Sequence, residues 1–401
     1  MTATIIISLC VLVLVAYLFD ITSAFTKIPS VILLLAIGWV VKQLAVSFNV
    51  YIPNLTQILP ILGTIGIILI VLEGSLELEL NKSKIPLVKK SFAVAMIPML
   101  VLAFGGAFAL KLMEGYSFRL SLINFVPLCV ISSSIAIPSV KKFAKFEKEF
   151  VTYESSLSDI LGLVFFNFLI INESVSAASF GFFVLQILII IIVSFIATAL
   201  LSLLLSRIEH DIKFVPIILL VILIYEISKI FQLPSLVFIL VFGLFLGNLD
   251  EIKHIKWLQK LKPHSLNKEV HKFLGFIMEI TFLIKALFFL LFGFLIKTSD
   301  LLNTANLAWL VSITAAIFLI RAFQLKLSGL PIMPLVFVAP RGLINILLFL
   351  SIPATLSIPV INSSLLIQVI VLTALVMMAG SMLAGKQIKN AALPNESAES
   401  F

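Results

Sequence analysis

The sequence predicts an all-α polytopic membrane protein of about 13 transmembrane helices, built as an inverted repeat in which spans 5 and 12 are broken. Three observations predict it. First, 61% of the 401 residues are hydrophobic and only 12% are charged, with a mean hydropathy of +1.21. A soluble domain is about half apolar and a quarter charged, so this chain cannot be covered by its own polar residues in water. Second, Leu, Ile, Val and Phe run on without alternating with polar residues, which fits helices and excludes the strands of an outer-membrane barrel. Third, two apolar stretches at matching places in the halves of the chain are interrupted by proline, glycine and serine.

Hydropathy and the Pro, Gly and charge breaks place the first seven spans at 3–22, 29–48, 58–79, 91–112, 119–141, 153–172 and 176–206. The remaining six fall at 213–229, 233–249, 271–296, 305–325, 333–353 and 362–385. The first span lacks a basic n-region and is long enough to cross, so it does not read as a cleaved signal peptide. Residues 250–263 mix Ile252, Ile255, Trp257, Leu258 and Leu261 with lysines, the pattern of a short amphipathic helix on the inner leaflet. The tail, 389–401, reads as disordered.

The net charge of +8 follows topology. Of 28 Lys and Arg, 20 lie in the odd-numbered loops and the C-terminal tail, and five on the other side. The cytoplasmic side holds such an excess, which puts the N-terminus outside and the C-terminus in the cytoplasm of a bacterial or archaeal inner membrane. No basic motif interleaved with aromatics stands in a soluble domain, so nucleic acid is not an expected partner; the partner is the lipid bilayer. Cys10 and Cys129 lie in apolar stretches and offer neither a disulfide framework nor a metal-ligand spacing.

The charges left inside the spans are the functional candidates, because each costs at least about 2.5 kcal/mol near the bilayer centre. They are Glu73, Glu154, Asp159, Glu226, Glu279, Lys285, Arg321 and Arg341. The breaks add two backbone anomalies. Span 5 carries SSSIAIP (Ser132 to Pro138) and span 12 carries APRGLIN (Ala339 to Asn345). Proline removes a donor and glycine loosens a helix, so both spans are expected to unwind where the backbone lines a cavity or is buried in protein. With span 7 as connector (176–206), spans 1–6 and 8–13 correspond in opposite orientation. Interrupted helices at matching places in inverted halves point to the binding site of a secondary transporter.

Span 6 supplies the chemistry. In YESSLSD (Tyr153 to Asp159), Ser155 and Asp159 are i and i+4 and share a helix face, whereas Glu154 points elsewhere. A hard monovalent cation wants several oxygens; Asp159, Ser155, Glu73 and carbonyls freed near Ser133 and Ser134 could provide them. Asp159 and Glu73 are then transient Na+ ligands, and no resident cofactor is expected. One carboxylate can hold a proton or a cation, so the two compete. The Ser132 to Ser134 hydroxyls have an alternative use, bonding to carbonyls within their own helix. Arg341 has one as well, satisfying carbonyls at the break of span 12.

Five segments in this order resemble the monovalent cation:proton antiporter superfamily, the sodium/proton exchangers. They are LEGSLELEL (Leu72 to Leu80), ESSLSD (Glu154 to Asp159), EITFLIKALFFLLFG (Glu279 to Gly293, with Lys285 where the family has Arg), LIRAF (Leu319 to Phe323) and PRGLI (Pro340 to Ile344). The resemblance implies that Asp159 binds cation and proton, that Glu154 pairs with Arg321, and that Glu73 and Ser155 add oxygen ligands. It also implies a homodimer. Helices 1–3 (1–80) and 8–10 (208–300) would be its scaffold, helices 4–6 (88–172) and 11–13 (301–388) its moving core, and spans 5 and 12 would cross at their breaks. Two departures stand out. Ser158 replaces the Asn of electroneutral members or the second Asp of electrogenic ones, and is itself a candidate ligand. Span 5 lacks an Asp-Pro pair and looks more like the Ser-Ser-Thr-Ala form of the potassium/proton branch.

The expected activity is therefore antiport of a monovalent cation, Na+ first with Li+ or K+ as alternatives, against H+ by alternating access, electroneutral because Glu154 and Arg321 cancel. The competing readings are a potassium/proton efflux antiporter of the glutathione-gated type and a passive cation channel. An enzyme is not expected, since the spans hold no His-Glu-x-x-His, paired catalytic aspartates or Ser/His pair.

Overall fold

A computed structural model describes residues 2–26, 28–48, 55, 57–78, 83–141, 143–172, 177–207, 214–231, 233, 235–249 and 263–392. Among the described residues the secondary structure is entirely helical. The helices are α1 (Thr2–Thr26), α2 (Ser30–Ser47), α3 (Ile58–Glu77), α4 (Ile85–Glu114), α5 (Phe118–Phe125), α6 (Ser133–Ser139), α7 (Lys145–Ile171) and α8 (Ala177–Arg207). They continue with α9 (Phe214–Ile230), α10 (Ser235–Gly247), α11 (Pro263–Leu295), α12 (Thr298–Leu301), α13 (Leu307–Leu327), α14 (Leu343–Leu350) and α15 (Ser363–Ala392). Nine stretches of described residues are both long and apolar enough to cross a bilayer.

Several helices run well past the hydropathy boundaries. The helix bearing Asp159 begins at Lys145, and the one bearing Lys285 at Pro263, well before the apolar residues start. Hydropathy marks the residues bathed in lipid, whereas Lys, Glu and Gln propagate a helix into water without loss of hydrogen bonding. For the same reason α15 runs on to Ala392, past the point where the tail was expected, with basic residues near its C-terminal end. Residues 250–262 of the expected amphipathic segment and 393–401 of the tail lie outside the described residues.

Two sets of helices pack side by side. In one, α11 lies along α2 and α3, and α10 lies against α3 and α8; in the other, α4 and α7 pack together with α5, α6 and α13. The sets meet where α3 touches α7 and α14. In lipid, helices associate through close packing more than through the hydrophobic effect, which favours small residues at the contact. Gly38 of α2 abuts the backbone of Leu290 and Phe294, and Gly293 of α11 abuts the backbone of Leu35. A Cβ at Gly293 would overlap main chain, which has no rotamer to retreat into. Gly293→Val is expected to destabilise the fold by about 1–3 kcal/mol; an unchanged thermal unfolding profile in detergent would show that the two helices can part freely.

Candidate functional site

Residues 118–139 do not form one continuous helix. Helix α5 tightens into a 3-10 turn at Val126–Leu128, residues 130–132 are extended or irregular, and α6 begins at Ser133. Span 12 behaves likewise, with a 3-10 turn at Leu335–Phe337, irregular residues 338–342, then α14. Each break leaves polar backbone groups that an apolar medium will not satisfy. They are satisfied by the other break. The Ser132 N–H donates to the Pro340 carbonyl at 2.9 Å. Arg341 donates through Nε to Leu128 O (3.0 Å), through Nη2 to Cys129 O (3.2 Å) and through Nη1 to Ala339 O (2.7 Å). Asn345 Nδ2 donates to Pro127 O (2.7 Å) and Val130 O (2.9 Å), while its Oδ1 accepts from Gly342 N at 2.6 Å. Of the two uses open to Arg341, carbonyl satisfaction is the one its contacts describe.

This junction presents Ser133 to α7. The Ser133 N–H (3.2 Å) and Oγ (2.5 Å) both donate to Asp159 Oδ2. Among the described residues Asp159 Oδ1 has no hydrogen-bond partner, and Asp159 is 5% exposed. It lines a pocket of about 10 Å³ with Ser132, Ser134, Ile67, Ile70, Val71, Leu343 and Ile344. The Ser132 and Ser134 hydroxyls lie 2.9 Å apart. An acceptor-only group with one oxygen held and one oxygen unsatisfied is suited to taking up a proton or a small cation.

Two larger cavities flank this pocket toward opposite ends of α3. One, about 440 Å³, is lined by Asp20, Glu73, Glu77, Glu279, Lys141 and Lys285 and reaches Ser133 and Ser134. The other, about 510 Å³, is lined by Thr64, Asn167, Tyr225, Lys229 and Ser351 among apolar residues. Ile70 and Ser134 line both the Asp159 pocket and the first cavity, and Ile67 lines both the pocket and the second. The Asp159 pocket thus shares wall residues with both cavities.

The other sequence candidates separate. Glu154 and Arg321, 1% and 2% exposed, form a bidentate pair at 2.5 and 2.9 Å, and Arg321 Nε also donates to Leu335 O at 2.8 Å. Ser158 Oγ accepts from Ile131 N at 2.9 Å and so braces the break in span 5. Ser155 Oγ donates to Val151 O at 2.7 Å, one turn back in its own helix, and does not line the Asp159 pocket. Glu73 Oε2 is 3.5 Å from Lys285 Nζ and lines the acidic cavity, not the Asp159 pocket. Among the described residues no group of three His, Cys, Asp or Glu is placed to hold a metal ion. Sequence reasoning assigned no role to Asn345, nor to Thr373, whose Oγ1 accepts from Arg341 N at 3.2 Å. A polar side chain deep in an apolar span was the signal available for each.

The sequence matches the family described as sodium/hydrogen exchanger, transmembrane, over residues 10–385. The fold is similar to a solved structure of the sodium proton antiporter MjNhaP1 from Methanocaldococcus jannaschii, with a TM-score of 0.70 and 18% identity, covering 96% of this chain and 99% of that one. An electron-microscopy structure of the same antiporter aligns with a TM-score of 0.66 at 18% identity, covering 96% and 97%. No curated relative matches the sequence.

Proposed function

The chain belongs to the transmembrane sodium/hydrogen exchanger family, and from that premise we propose that it is a secondary antiporter exchanging one monovalent cation, Na+ first, for one proton at Asp159. The observation that carries this reading is the half-satisfied Asp159 carboxylate, whose pocket shares wall residues with both the acidic and the second cavity. The protonated acid and the cation-bound carboxylate are mutually exclusive states of one group. If only these two neutral states move between the cavities, each cycle carries a cation one way and a proton the other.

Residues around Asp159 then have distinct tasks. Ser133 holds Oδ2 and so orients Oδ1 toward the pocket; the Ser132 and Ser134 hydroxyls are near enough to replace part of a cation's hydration shell. Glu154 and Arg321 cancel each other's charge, leaving Asp159 as the titrating group of the cycle. In this reading the chain makes 13 crossings, with the broken segments crossing each other, and functions as a homodimer. Its N-terminus is outside, and the acidic cavity, which includes Lys141, opens to the cytoplasm. The serine run of span 5 favours K+ as the second candidate cation, as does its likeness to the potassium/proton branch.

The test is dissipation of an imposed pH difference in vesicles carrying the purified protein, on adding Na+, Li+ or K+ separately. We expect Na+ to collapse the gradient at a rate unaffected by clamping the membrane potential. A reproducible dependence on potential would rule out the one-for-one cycle. Steady single-channel currents would replace the exchanger by a channel, and indifference to all three cations would remove the assignment altogether.

A further inference from the structure

We propose that Lys285 is a tethered internal cation that competes with the transported cation for Glu73, and thereby sets the concentration at which the cation is captured from the acidic cavity. The inference rests on the exchange reading given above and concerns a residue outside the Asp159 pocket.

The ion pair has none of the marks of a structural clamp. Glu154 and Arg321 are bidentate, almost fully buried and within 2.9 Å. Lys285 meets Glu73 through a single contact of 3.5 Å, with side chains 25% and 19% accessible. Charge-assisted hydrogen bonds of full strength run to about 2.7–2.9 Å, so this one is loose, and the cavity brings solvent to it. Partly exposed pairs of this kind add little stability. Lysine presents a compact point charge on a flexible stem, the closest side-chain analogue of a monovalent metal ion.

Its position gives that looseness a use. The cavity wall carries Asp20, Glu73, Glu77 and Glu279 against Lys141 and Lys285, and it extends to Ser133 and Ser134 beside Asp159. A cation moving through this cavity toward Asp159 meets Glu73 already engaged by an ammonium group. Capturing it there means displacing Lys285, whose Nζ can turn to the other carboxylates of the same wall. The lysine therefore weakens capture by about the strength of its own contact.

The experiment uses the full-length protein, in vesicles and in detergent. The half-saturating Na+ concentration is read twice: from the rate of pH-gradient dissipation, and from the Na+ dependence of the melting temperature, which needs no transport. Lys285→Gln is expected to lower that concentration about two- to fivefold in both assays, while Lys285→Arg keeps it near the parent value. In a Glu73→Gln background the same Lys285→Gln change is expected to have no effect, because nothing is left to compete for. Should Lys285→Gln fail to fold, Lys285→Met is measured in its place against the same expectations. An unshifted or raised half-saturating concentration in a protein that still responds to Na+ overturns this proposal alone, as does an equal fall in the Glu73→Gln background. A parent protein that responds to no cation in either assay overturns the exchange reading and this proposal with it.

Discussion

Asp159→Asn is expected to abolish cation-dependent proton movement and to leave the protein folded. Asparagine keeps the shape of the side chain, and its Oδ1 still accepts from the Ser133 N–H and Oγ that now hold the carboxylate. What it loses is the ability to alternate between a neutral protonated form and an anion that binds a cation. The expected result is a rate of pH-gradient dissipation equal to that of protein-free vesicles. Unfolding stability should stay within about 1 kcal/mol of the parent, the scale of one exchanged hydrogen bond. Cation-dependent exchange surviving in this variant would move the site away from Asp159.

Glu154→Ala should have the largest effect on stability. The Glu154–Arg321 pair joins α7 to α13, and Arg321 also reaches the Leu335 carbonyl ahead of the break in span 12. Removing one partner leaves an uncompensated charge in a buried, low-dielectric site, which costs about 3–5 kcal/mol. Replacing both at once, Glu154→Leu with Arg321→Met, should recover most of that loss because neither residue is then desolvated without a partner. Thermal unfolding of the single and double variants decides the matter. If the single variant loses less than about 1 kcal/mol, the pair is not what holds these helices in register.

The parts of this architecture legible in the sequence are those that a bilayer makes expensive. A charge in an apolar run must have a reason, and that argument led directly to Asp159, Glu154, Arg321 and Arg341. The interruptions were legible for a similar reason, since Pro340, Gly342 and the serine run disturb helices locally. Ser155 was misleading because spacing on a helix face says nothing about which way a hydroxyl turns. Serine has a carbonyl one turn back within reach at all times, and here it takes the Val151 oxygen. Asn345 was silent for the opposite reason. Its partners, the carbonyls of Pro127 and Val130, belong to a segment more than 200 residues away, and no local pattern announces them. Glu73 shows the same limit: its nearest charged partner, Lys285, is 212 positions distant.

The bonds that join the two breaks also set an order of assembly. The carbonyls of Pro127, Leu128, Cys129 and Val130 are completed by Arg341 and Asn345, and the Ser132 amide by Pro340. While a ribosome is still making the first half of the chain, none of those partners exists. Each unpaired backbone group left in hydrocarbon costs several kcal/mol, so span 5 cannot reach its final form during its own insertion. It must remain in a provisional helix, or near water, until the segment from Pro340 to Asn345 has been translated and inserted. The site around Asp159 is thus among the last parts of the molecule to exist, completed only after nearly the whole chain is in the membrane.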